Sequence, residues 1–184
     1  MLRLGLILMA ICLAAALVLA GTYKLTAPKI EAQKTSQERQ ALKGLLPTAS
    51  EFVEKEQQRQ EIPAVVYYEG VKDNNLVGYV LKIKAKGYGG DIDMLVGIDP
   101  SGIIQGVEIL SQQETPGLGS RITEIKQGEK RPWFLEQFKA KTAKYLDMSG
   151  IQAISGATIS SAAVLEAVKK EVYGFIDQLA DKEK

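Results

Sequence analysis

From Leu4 to Tyr23 the chain carries no charged residue and is built almost entirely from Leu, Ile, Ala, Val, Met and Gly. No other feature restricts the fold so strongly. At roughly 20 residues, such a run is long enough to cross a hydrocarbon core as a helix. Val18 and Ala20 resemble a signal-peptidase site, but the run exceeds the ~7–15 apolar residues of an ordinary signal peptide. We therefore expect an uncleaved anchor, with Cys12 inside the span. Orientation is ambiguous from charge. Arg3 and the amino terminus stand against Lys24, Lys29, Lys34 and Arg39, and a plain count of these places the C-terminal side in the cytoplasm.

Composition changes at Pro28, a residue suited to a first helical turn. Lys29 to Leu45 is rich in good helix formers and has no strong apolar face until Leu42, Leu45 and Leu46. It predicts a stalk helix ended by Gly44 and Pro47. Ala49 to Glu61 is charged and Gln-rich, and it has no assignable element.

Strand chemistry begins at Ala64. Ala64 to Tyr68 is β-branched and aromatic, Asp73-Asn74-Asn75 forms a turn, and Leu76 to Ala85 alternates. The glycine-rich loop Lys86-Gly87-Tyr88-Gly89-Gly90 follows. Ile92 to Ile98 and Ile103 to Leu110 form a hairpin around the reverse turn Asp99-Pro100-Ser101-Gly102. Four strands joined by short turns predict an antiparallel meander. Gln113-Glu114-Thr115-Pro116-Gly117-Leu118-Gly119 is a tightly bent loop. Pro132 to Phe138 predicts a short helix, with Trp133 in the core. From Ala157 to Leu179, the positions Val164, Val168, Val172, Phe175 and Leu179 recur at helical spacing and form one apolar stripe.

The last helix starts at Ser155-Gly156-Ala157-Thr158. A bland reading makes Ser155 a helix cap and Gly156 a turn residue. A functional reading notes that a helix N-terminus offers free N–H groups and partial positive charge, a natural seat for phosphate. What the chain lacks narrows the chemistry further. It has 184 residues, no histidine and one cysteine, and a net charge of +1. A His-based nucleophile pair, an internal disulfide, a thiolate metal site and a haem or iron–sulfur centre are all without ligands. The charge balance does not suit nucleic acid. Any redox group would have to be an organic cofactor.

The order of anchor, sheet, Glu114-Thr115-Pro116-Gly117-Leu118-Gly119 and Ala153-Ile154-Ser155-Gly156-Ala157-Thr158 resembles the FMN-binding domain family typified by the G subunit of the electron transport complex. That complex is the Rnf-type ion-translocating ferredoxin:NAD oxidoreductase, and the C subunit of the sodium-translocating NADH:quinone reductase is similar. The resemblance covers most of the chain. It implies an α+β protein, with an N-terminal transmembrane helix followed by an FMN-binding domain whose antiparallel sheet packs against helices. The segments expected are 1–24 as anchor, 25–48 as stalk and 49–184 as FMN-binding domain.

In that family the threonine matching Thr158 carries FMN through a phosphoester, attached by a separate flavin transferase with FAD as donor. The resemblance places Ser155, Gly156 and Ala157 in the attachment motif. It puts Glu114, Thr115, Pro116, Gly117 and Leu118 beside the flavin. Thr115 and Ser160 are candidates for the phosphate or the ring, and spacing does not choose between these. Many members have an acidic residue six positions before the threonine, where this chain has Gln152.

The role implied is an electron carrier among membrane and iron–sulfur subunits of a redox-driven ion pump. It would sit in the prokaryotic cytoplasmic membrane as a single-pass protein, with its soluble domain outside the cytoplasm, against the lysine count. Two alternatives stand beside it. One is an FMN domain of another extracytoplasmic respiratory system, and the other is a non-redox anchored assembly module in which Ser155 to Thr158 only caps a helix.

Overall fold

A computed structural model describes residues 2–57 and 65–182. Of the expected first strand, Ala64 lies outside the described residues. The described chain contains one long helix, five strands and two further helices, linked by short 3-10 turns. Two compact units are present, Met1–Arg39 and Gln40–Lys184.

Helix α1 runs without a break over Leu2–Leu45, with Pro28 in its interior. Pro28 therefore does not start a separate helix, as the sequence suggested. A proline there removes the N–H that would bond the Lys24 carbonyl. The Thr22 and Thr26 hydroxyls donate back to the Val18 and Thr22 carbonyls at 3.0 and 2.8 Å. Among the described residues, α1 is the one helix long and apolar enough to cross a membrane, with a mean hydropathy of 2.7 in its apolar window.

The strands are β1 (Glu51–Gln57), β2 (Val65–Lys72), β3 (Asn75–Lys86), β4 (Asp91–Ile98) and β5 (Ile104–Gln112). They form one sheet in chain order, every neighbour antiparallel. The expected four-strand meander is present, and β1 extends it. That strand lies where the sequence offered no element. It is an edge strand, mostly exposed and charged, and its pairing with β2 includes a Lys55–Glu69 ion pair at 2.7 Å. Charged side chains protect a sheet edge but hide it from pattern reading.

Turn chemistry explains the joints. Asp73 and Asn74 both have positive φ, 49° and 64°, in the two-residue loop between β2 and β3, as the favoured hairpin turn requires. Between β4 and β5, Asp99 Oδ1 accepts the Ser101 and Ile103 N–H groups at 2.9 Å each.

Helix α3 (Thr158–Lys182) covers one face of the sheet. Val164, Val168, Val172 and Phe175 are fully buried, against Leu81, Ile83, Met94 and Val96 among others. Each such side chain contributes about 1.5–3 kcal/mol of apolar burial, so α3 is held by its stripe. The expected stripe is present, with Leu179 packed at its margin. The short helix α2 (Trp133–Glu136) adds Phe134 and Leu135 to this core, with Phe138 just beyond its end. Trp133 packs at its edge under the Lys126 ammonium, 3.8 Å from the ring centre.

The opposite face carries a smaller core in which Leu42, Leu45 and Leu46 meet Tyr68, Val80 and Leu95. Arg131 closes the end of α1, donating to the Gly44 carbonyl at 2.9 Å.

A cleft at the start of the last helix

Two turns of one kind frame the candidate site. In Thr115-Pro116-Gly117-Leu118 the Leu118 N–H donates to the Thr115 carbonyl at 3.1 Å, and Gly117 has φ +76°. In Ile154-Ser155-Gly156-Ala157 the Ala157 N–H donates to the Ile154 carbonyl at 2.9 Å, and Gly156 has φ +80°. Both are type II in pattern, with glycine at the third position where φ must be positive.

The second turn delivers the chain into α3. The Ala157 carbonyl accepts the Ser161 N–H at 3.0 Å, the first bond of the helix ladder. Ala157 therefore occupies the cap position and Thr158 the first helical one. This corrects the reading of Ser155 as the cap, since Ser155 is spent inside the turn. The buried Ser161 hydroxyl reinforces the entry, accepting the Ile154 N–H at 3.1 Å and donating to the Ala157 carbonyl at 2.9 Å. The backbone N–H groups of Thr158, Ile159 and Ser160 lie in the first turn, where the helix itself offers no acceptor.

Between the turns lies a cleft of about 410 Å³. The sequence-predicted residues Glu114, Thr115, Leu118, Gly156, Ala157, Thr158 and Ser160 line it. Ser155, Pro116 and Gly117 do not; they shape the turns. Three lining residues escaped the sequence reading: Tyr88, Gly119 and Ile159. The aromatic residue enclosed by glycines in Lys86–Gly90 was the available signal for Tyr88.

Glu114 is buried and organises the cleft. One carboxylate oxygen accepts the Gly89 N–H at 3.0 Å, and the other accepts the Ser160 hydroxyl. Gly119 lies against both groups, and a side chain there would collide with the Glu114 carboxylate and the Ser160 hydroxyl. Thr158 is exposed on the cleft wall. Its hydroxyl thus stands at the positive end of α3, where an anion is favoured by about 0.3–1 kcal/mol.

These residues fit an FMN. The volume lies in the usual range for cofactor clefts, about 300–1,000 Å³. A helix start could receive its phosphate, and Gly156 puts no side chain into the cleft it lines. The lining combines apolar side chains with few polar groups.

The FMN-binding domain family matches residues 87–172, and the RnfG N-terminal region matches residues 1–45. The chain is 37% identical to the G subunit of the ion-translocating oxidoreductase complex of Methanosarcina acetivorans, covering 86% of this chain and 85% of that protein. It is 32% identical to the G subunit of the proton-translocating ferredoxin:NAD(+) oxidoreductase complex of Clostridium ljungdahlii, covering 88% and 84%. Among solved structures, NqrC of Shewanella oneidensis shares the fold, with a TM-score of 0.52 and 22% identity over 74% of each chain.

Proposed function

This chain belongs to the family of G subunits of ion-translocating oxidoreductase complexes, and we propose that it is a membrane-anchored electron carrier with FMN joined to Thr158 by a phosphoester. The observation that carries this reading is the position of Thr158. It is the first residue of α3, its side chain is exposed, and it lines the cleft.

Attachment uses FAD as donor on a separate flavin transferase. Thr158 Oγ1 forms a bond to the phosphorus of the FMN half, the pyrophosphate bond breaks, AMP leaves, and the hydroxyl proton is given up. The chain then holds the phosphate at the first turn of α3, where N–H groups and the helix dipole oppose its charge. A covalent link suits a protein with no dinucleotide-binding glycine motif to retain the cofactor. Once bound, FMN supplies reversible electron exchange with neighbouring redox subunits. Glu114, through Gly89 and Ser160, keeps the cleft walls together. The chain itself needs no acid or base, consistent with the absence of histidine. Iron–sulfur centres belong to partner subunits.

The apolar part of α1 anchors the protein in the cytoplasmic membrane, with residues 49–184 as the extracytoplasmic FMN-binding domain. A reporter fused after Lys184 tests this side: activity outside the cytoplasm is expected, and cytoplasmic activity removes the assignment.

The decisive measurement is intact mass after co-expression with a flavin transferase. The wild type should gain the mass of one FMN, and Thr158→Ala should gain none. If the wild type gains nothing while a control substrate is flavinylated, the phosphoester reading fails.

A further inference from the structure

The loop between β3 and β4 is fixed by its backbone. Gly87 N–H donates to the Gly90 carbonyl at 2.9 Å, and Gly89 N–H donates to Glu114. A side chain at Gly87 would strike the Glu114 carboxylate, one at Gly89 the backbone of residues 113 and 114, and one at Gly90 the Gln113 side chain. The glycines let the loop press onto the segment leading into the cleft. Glu114 in turn holds Ser160 on α3, so the loop and the helix start are clamped to one buried group.

The clamped loop presents a single large side chain, Tyr88, and that ring is 72% exposed on the cleft wall. It adds little to the core. Beside it, Leu118 and Ile159 are also exposed at 48% and 58%. A rigidly held aromatic ring in an apolar rim, next to a polar anchoring point, is a surface suited to a planar ring tethered by a phosphate.

We propose that Tyr88 is the aromatic face against which the isoalloxazine of the Thr158-bound flavin stacks, with Leu118 and Ile159 as the remaining apolar walls. This rests on the reading of Thr158 given above. A phenol in contact with an oxidised flavin quenches its emission, because an electron passes from the phenol to the photoexcited ring and then returns. A phenyl ring stacks but does not quench in this way.

The test uses the full chain, co-expressed with a flavin transferase and purified in detergent, as wild type, Tyr88→Phe and Tyr88→Leu. Intact mass first establishes one FMN per chain. Flavin emission should then rise several-fold in both variants. The visible circular dichroism of the flavin should be kept in Tyr88→Phe and changed in Tyr88→Leu. If a loaded Tyr88→Phe emits no more than the wild type, the stacking proposal falls and the phosphoester reading stands. If the wild type carries no FMN while a control substrate is flavinylated, both fall. Should Tyr88→Leu load poorly, the emission of Tyr88→Phe alone decides.

Discussion

The two faces of the sheet are built on opposite principles. On one, large side chains fill volume: Phe175 of α3 sits in edge-to-face contact with Tyr67 and Tyr79, ring centres 4.9 and 5.2 Å away. On the other, the sheet removes side chains. Gly70 pairs with Gly78 and Gly97 with Gly106 across neighbouring strands. A Cβ at Gly97 would lie 3.0 Å from Leu45 Cβ, and one at Gly70 2.9 Å from Leu46 Cδ1. The end of α1 is thus received by bare backbone. Volume filling holds α3, and with it Thr158, by many graded contacts. Close approach seats Leu45 and Leu46 with little tolerance for added atoms.

This contrast predicts different mutational behaviour. Phe175→Ala should cost most, about 3–5 kcal/mol, through lost burial and a cavity. The denaturant midpoint of the full chain in detergent measures it, and a loss under about 1 kcal/mol would mean that this face is not close-packed.

Next comes Gly97→Ala. One added methyl should destabilise by about 1–3 kcal/mol through overpacking. The double variant with Leu45→Gly should cost less than the sum of the two single ones, because the Leu45 Cβ that the new methyl meets is gone. Strict additivity would show that Leu45 does not press on Gly97.

The smallest effect concerns Glu108 on β5, which pairs with Leu95 of the glycine-bearing face. Burial raises its carboxyl above the ordinary value, with Arg131 opposing. The folded state therefore holds this proton more tightly than the unfolded chain. The associated stability is complete below the unfolded value and is lost as pH rises through the folded one. Glu108→Gln should flatten stability over that window, by less than about 1 kcal/mol because solvent screens a half-buried group. Melting curves across the acidic range would reveal it, and an unchanged profile would remove Glu108 as its source.

Much of this protein was legible as local pattern. The uncharged run in α1, the alternation of β3, the hairpin turns and the stripe of α3 depend on residues close in sequence. The same holds for the glycines of the two turns beside the cleft, since a positive φ is a property of one residue. Thr158 could be placed near a helix start for this reason. The cap residue could not, because Ser155 and Ala157 differ only in which carbonyl enters the ladder.

What the sequence alone determined was therefore a set of elements and their order, since periodicity and turn chemistry act over a few residues. The tertiary structure decided the relations between distant ones. Strand β1 exists because β2 offers it a partner, not because its charged residues favour a strand. Glu114 became the joint of the cleft only when folding brought Gly89 and Ser160 to its two oxygens, across 25 and 46 residues of chain. The glycines opposite Leu45 and Leu46, and Tyr88 beside Thr158, likewise acquired meaning only from neighbours that no local pattern names. A side chain's local geometry is set by its own backbone and near neighbours, whereas its burial and its partners are set by the packing of the whole.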